Sequence, residues 1–293
     1  MPPTLDRAAR VSEVRRVLRL VLWLNLAVIV LKLGVWSLSA ALSVLAEIFH
    51  SSLDAANNVF ALTLARVAAQ EPDEDHPYGH TKFETLGALA LVGVLSITVF
   101  ELVQHAILRM LAGHHPAADF SPWALALMGV SLVAGIAITW YERRAGRRLG
   151  SDLLLADAAH TQSDVLTTTA VLVGLVAIRM GYPVADPVAT VLVAGLIAYT
   201  GWNIIKETVP VLVDSRAVDP ARIGALALEV EGVHAAYRIR SRGRRGERFA
   251  ELTIAVAPNL DVATSHAMAD DVERRVADSL GAREVVVHVE PWA

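Results

Sequence analysis

Hydrophobic positions in this chain fall into long blocks, with little polar interruption until the last third. Six blocks stand out, at Val17–Leu38, Ala40–Val67, Phe83–Leu111, Pro122–Tyr141, Leu153–Met180 and Val184–Ile205. A helix needs about 20 mainly apolar residues to cross a bilayer, so each block predicts a spanning helix. The second and third exceed that length, which predicts tilt or projection into water. Turn-forming residues separate the blocks: Pro72 and Pro77 with Gly79, then His114 to Pro122, Gly146 to Gly150, and Gly181-Tyr182-Pro183. After Asp214 the pattern changes. Pro220–Val230 has helical spacing, and Val233–Ser241 and Phe249–Val256 alternate like strands around Gly243 and Gly246. Asp261–Leu280 reads as an amphipathic helix behind an acidic cap, and Val285–Val289 as a last strand. The predicted fold is an α-helical membrane protein. Residues 1–213 form a six-helix transmembrane domain, and residues 214–293 a small α+β domain of order αββαβ.

Charge sets the orientation. Arg7, Arg10, Arg15, Arg16 and Arg19 precede the first block, and Arg143, Arg144, Arg147 and Arg148 follow the fourth. With an even number of spans, both groups and the C-terminal domain share one side. The positive-inside rule makes that side the cytoplasm, and the expected location is the inner or plasma membrane of the cell. Basic residues before an apolar run can also open a signal peptide. This run is long and no small-residue cleavage site ends it, so it reads as a retained helix. A net charge of −4 without a long basic stripe excludes nucleic acid as a partner. The chain has no cysteine, so any bound metal must use His, Asp or Glu.

Two blocks contain the same short pattern. His50-Ser51-Ser52-Leu53-Asp54 and His160-Thr161-Gln162-Ser163-Asp164 are both H-x-x-x-D. Residues at i and i+4 lie on one helix face, so each pattern presents an imidazole beside a carboxylate. Two such faces turned together offer two nitrogens and two oxygens, a tetrahedral set suited to a zinc-like ion. Polar residues also serve as contacts between helices. A mid-bilayer charge costs about 2.5–3.5 kcal/mol, however, and matched pairs are better explained by a divalent cation that neutralises them together. Glu47 and Asp157 each lie three residues before a His. Either serves as a ligand-orienting or entry-path carboxylate, although a helix-end charge is the simpler reading of Asp157. Asn57, Asn58, Gln162 and Ser163 are candidates for orienting the ligands.

Together with these pairs, the stretches DLLLADAAHTQSD from Asp152 to Asp164 and HPYGHTKFE from His76 to Glu84 resemble the cation diffusion facilitators, a family of divalent-metal/proton antiporters. The resemblance covers nearly the whole chain, including a metallochaperone-like C-terminal domain. It implies a transport site of His50, Asp54, His160 and Asp164, with Zn²⁺ as the transported ion because a His-Asp pair on the second span is usual in zinc-preferring members. It also implies a second, weaker metal position at Asp73, His76 and His80 in the cytoplasmic loop, where Glu74 and Asp75 are simply solvated. In the C-terminal domain it points to His266, His288 and Glu290. His288 and Glu290 share a strand face, but Tyr237 and Thr253 stand where other members have His, and His234 is out of register. A single ion and a metal-free dimer interface are both compatible with these residues.

The implied activity is export of Zn²⁺ in exchange for protons by a homodimer, coupled to the C-terminal domain near Lys82 and Asp214. Efflux of Cd²⁺, Co²⁺, Fe²⁺ or Mn²⁺ by the same route is the alternative. A membrane-embedded zinc hydrolase is remote, since no HExxH occurs and a catalytic zinc keeps an open position. A metal sensor leaves the mid-membrane ligands unexplained. The absence of a P-loop argues against ATP as the energy source.

Overall fold

The computed structural model describes residues 7–39, 42–112, 122–180, 182, 185–244 and 247–292. Six long helices come first: α1 (Arg7–Ser39), α2 (Leu42–Val67), α3 (Lys82–Ala112), α4 (Pro122–Leu149), α5 (Asp152–Arg179) and α6 (Ala185–Leu212). The chain divides into two compact units, one within Leu5–Thr208 and one within Val209–Ala293. The breaks expected at 114–121 and at Gly181 and Pro183 lie outside the described residues, as does Gly246.

α1, α3, α4 and α6 outrun their apolar blocks while α2 and α5 do not, and the lengths run from 26 residues in α2 to 33 in α1. α1, α3 and α6 hold the most strongly apolar stretches, Ala9–Ser37, Lys82–Leu108 and Pro187–Leu212. α2 and α5 carry the polar residues of the two pairs within their apolar runs. α1 packs on α2, α4 on α5, and α3 on α5. Val14, Leu18, Ala61, Ala65, Leu91, Leu149, Leu153 and Leu154 form a core at one end of the bundle. Large apolar side chains such as Trp23, Phe49, Phe100, Val133 and Leu192 point outward, as a lipid-facing surface requires. Arg144 lies 5.7 Å from the Trp140 ring and Lys206 5.5 Å from the Trp202 ring, a pairing of aromatic and cationic groups typical of a membrane–water boundary.

The break expected at Gly146 to Gly150 falls at the far end of that range. Gly146 does not interrupt α4, which continues to Leu149 and turns only at Gly150 (φ 60°). A Cβ at Gly146 would stand 3.0 Å from Leu155 Cγ, so this glycine serves close packing of α4 on α5. Arg10 of α1 closes the turn. Its Nε donates to the Leu149 carbonyl (2.6 Å), and its Nη2 donates to the Gly150 carbonyl (2.9 Å) and to Glu84 Oε2 (3.2 Å). A cation there satisfies the orphan carbonyls at the end of a helix.

The second unit has the predicted order: α7 (Pro220–Leu228), β1 (Val233–Arg244), β2 (Glu247–Val256), α8 (Val262–Leu280) and β3 (Ala282–Pro291). β1 pairs antiparallel and β3 parallel with the central β2. The parallel pairing requires a crossover, which α8 supplies. Asp219 and Asp261 cap the two helices through the amides of Ala221 and Thr264. Ile223, Ile254, Val272 and Val276 fill the core between helices and sheet.

Candidate metal centre

The two H-x-x-x-D patterns lie on α2 and α5 and face one another. His50 Nε2 is 3.8 Å from Asp164 Oδ1, and His160 Nε2 is 3.5 Å from Asp54 Oδ1 and 3.9 Å from Asp164 Oδ2. His50, Asp54 and Asp164 each offer a ligand atom within 4.8 Å of the others. Donors about 2.0–2.2 Å from one tetrahedral ion stand about 3.4 Å apart, and the contacts of His160 with Asp54 and Asp164 and of His50 with Asp164 lie close to that spacing. His160 is the most buried of the four side chains, at 9% exposure, and His50 the most open, at 53%.

The surrounding amides divide their work. Asn57 Nδ2 lies 3.0 Å from His160 Nε2 and donates to it when the ring is neutral, holding the lone pair that a metal would take. Asn58 Nδ2 bonds both oxygens of Asp157, at 3.3 and 3.1 Å. The Ser163 hydroxyl donates to the His160 backbone carbonyl at 2.7 Å and lies within hydrogen-bonding reach of the Asp164 carboxyl, and Gln162 turns away to Arg143. Asp157 is not a helix-end charge. It sits a turn inside α5 at 0% exposure, because the start of α5 is covered by α4 and α3. Sequence reasoning missed Glu142 altogether. It is also fully buried, against Asp157, and its only sequence signal is a lone acid beside Arg143 and Arg144. The side chain of Glu47 lies outside the described residues.

The loop before α3 brings Asp73, His76 and His80 together. Asp73 Oδ1 is 3.3 Å from His76 Nδ1, and Asp73 Oδ2 is 3.4 Å from His80 Nε2. Gly79 (φ 82°) makes the turn, and its amide donates to the His76 carbonyl at 2.8 Å. His80 is buried and stacks on Phe83, while Asp73 and His76 are exposed. The His76 backbone amide, first of all, holds the Asp73 carboxyl below its usual range; burial opposes this, and the two imidazoles reinforce it. Glu74 and Asp75 are exposed.

The C-terminal candidates do not form a ligand set in one chain. His266 pairs with Asp270 on its own helix, at 3.8 Å. Glu290 accepts from the Tyr237 hydroxyl (2.5 Å) and from Arg238 Nη1 (2.9 Å), with His288 Nε2 at 3.6 Å. Arg238 reaches this position from a bulge in β1, with φ at 52°. The Tyr237 hydrogen bond above all, opposed by burial and reinforced by Arg238 and His288, keeps the Glu290 carboxyl below its usual range. Among the described residues no third metal-ligating group joins His288 and Glu290.

Long apolar helices with facing His/Asp pairs on two members, followed by an α+β domain, point to a membrane protein of the metal-transporter class. The chain matches the cation efflux transmembrane domain over residues 18–213 and the cytoplasmic domain of the cation efflux proteins over residues 216–292. It belongs to that family, the cation diffusion facilitators. It is 31% identical to metal tolerance protein C1 of Arabidopsis thaliana over 300 residues, covering 96% of this chain but only 63% of the plant protein. It is 28% identical to the cation-efflux pump FieF of Klebsiella pneumoniae over 272 residues, covering 90% of this chain and 88% of that one. A solved variant of the MamM C-terminal domain is 24% identical with a TM-score of 0.24, covering 25% of this chain and 92% of that chain.

Proposed function

We propose that this protein exports Zn²⁺ from the cytoplasm in exchange for protons, using His50, Asp54, His160 and Asp164 as the transport site. The observation that supports this reading is the approach of imidazole to carboxylate across the two facing helices, His50 to Asp164 and His160 to Asp54 and Asp164, at 3.5–3.9 Å. Binding requires neutral imidazoles and ionised carboxylates, so cation and protons compete for the same atoms. Imidazole is the side chain whose ordinary titration falls in the physiological range, which suits exchange driven by a modest pH gradient. The site loads from the cytoplasm, the helices rock, and protons from the far side displace the ion. Asp73, His76 and His80 hold a second, weaker ion on the cytoplasmic side. A homodimer forms through the C-terminal domain, where His266, His288 and Glu290 take at most one further ion.

Reconstitution of the purified full chain in proteoliposomes tests this. Zinc influx down its gradient should drive counter-flow of protons, read by a dye sealed inside. Zinc flux with no proton movement would overturn antiport. The names of the relatives, metal tolerance protein and cation-efflux pump, specify no particular metal and are equally compatible with a second reading in which Cd²⁺, Co²⁺, Fe²⁺ or Mn²⁺ is the principal cargo. Competition among these ions in the same vesicles separates the two.

A further inference from the structure

Glu142 occupies an unusual place in the helical unit. It is fully buried on α4, turned inward while its neighbours Arg143 and Arg144 are exposed. Neither of its carboxylate oxygens meets a hydrogen-bond donor. Its polar neighbours are the Asp157 carboxyl and the Thr161 hydroxyl of α5, and Thr161 donates to the Asp157 backbone carbonyl at 3.3 Å. Asp157 is equally buried. Asn58 of α2 donates to it, and Asn25 of α1 donates in turn to Asn58 Oδ1 at 2.6 Å. A polar chain thus runs through four helices, from Asn25 to Asn58, Asp157 and Glu142, and ends on two carboxyls facing each other.

Two adjacent buried carboxylates cannot both stay ionised without a cation. Besides its partner in the pair, the charged groups that bear on Asp157 are His160 and Asp54. Three cations of α1 and α4 are engaged elsewhere. Arg10 holds Glu84 and the end of α4, Arg148 pairs with Glu13, and Arg143 bonds Gln162. A single proton between the two carboxyls resolves the arrangement, with one oxygen donating and its neighbour accepting.

We propose that Glu142 and Asp157 form a proton-binding pair, separate from the metal ligands, that gives up its shared proton when a divalent cation enters the neighbouring site. The O–H bond of the pair breaks, the proton leaves for water, and both carboxyls remain ionised beside the bound dication. The link to the site is short: Asn58 holds Asp157 while the adjacent Asn57 holds His160. This rests on the antiport reading above, to which it adds a second place where the exchanged protons are carried.

The test counts protons released per Zn²⁺ bound, with the full-length protein in weakly buffered detergent solution and a pH indicator. The wild-type protein should release protons, and Glu142→Gln, a neutral mimic of the protonated acid, should release about one fewer per ion bound. An unchanged count in Glu142→Gln overturns the pair while leaving antiport intact. Absence of release from the wild-type protein overturns antiport, and the pair with it. Should Glu142→Gln fail to accumulate in the membrane, Asp157→Asn removes the same proton from the other partner and is read the same way.

Discussion

Asp54 and His160 meet across the α2–α5 interface, carboxylate to imidazole, at 3.5 Å. Each comes from a different H-x-x-x-D pattern, so the contact joins two pairs that are local in sequence into one site.

Asp54→Ala and Asp164→Ala should each reduce zinc flux to the level of empty vesicles while leaving an inserted, assembled protein. Each change removes one of four donors and one of two neutralising charges. Flux clearly above the empty-vesicle control in either variant would rule out the four-ligand site.

His50→Asp should weaken the preference for Zn²⁺ and widen acceptance of Cd²⁺ or Mn²⁺, because a carboxylate makes the shell more oxygen-rich. His50 is the most open ligand, so the change need not disturb packing. Unaltered Zn/Cd discrimination in a competition assay would remove His50 from selectivity.

At the loop, His80→Ala should lower the number of zinc ions bound by one in calorimetric titration of the full chain. The pH dependence follows from Asp73, whose carboxyl is held below its ordinary value of 3.8, first by the His76 amide. A depressed carboxylate contributes stability above its unfolded value and loses it as pH falls through the folded value. Exchange protection of the His76 amide should therefore persist on acidification to 3.8 and disappear below it. Loss of protection already near neutral pH would show that this bond does not order the loop.

In the C-terminal domain, Arg238→Ala should tighten zinc binding at His288 and Glu290, since the guanidinium occupies the carboxylate a metal would need. Equal or weaker binding in the variant would mean that the two residues do not serve an ion.

Gly243→Ala should destabilise the same domain by about 1–3 kcal/mol. Gly243 holds φ at 94°, and a Cβ there would lie 2.2 Å from the Glu247 carbonyl oxygen. A thermal transition indistinguishable from wild type would contradict that geometry.

The facing of the two His/Asp pairs was legible in the sequence because helical spacing alone puts His50 with Asp54 and His160 with Asp164 on common faces. The order of the C-terminal elements was legible for a similar reason, since alternation and caps are local signals. What escaped was set by neighbours distant in the chain. Asp157 resembles a helix-end charge until α3 and α4 are packed over it, and Glu142 has no spacing partner at all. Gly146 carries the composition of a break, yet only the position of Leu155 explains it. The Arg238–Glu290 contact depends on a bulge that no alternation pattern announces.

The two halves of the metal centre belong to helices with different allegiances: α2 packs against α1, and α5 against α3 and α4. If the proposed transport site holds its ion there, that ion is a removable staple, and its dwell time would set the pace of any motion that separates the helices. Very strong binding would turn the carrier into a store. On this view the open flank at His50 is a leak built into the clasp, which lets the staple be drawn before the hinge seizes.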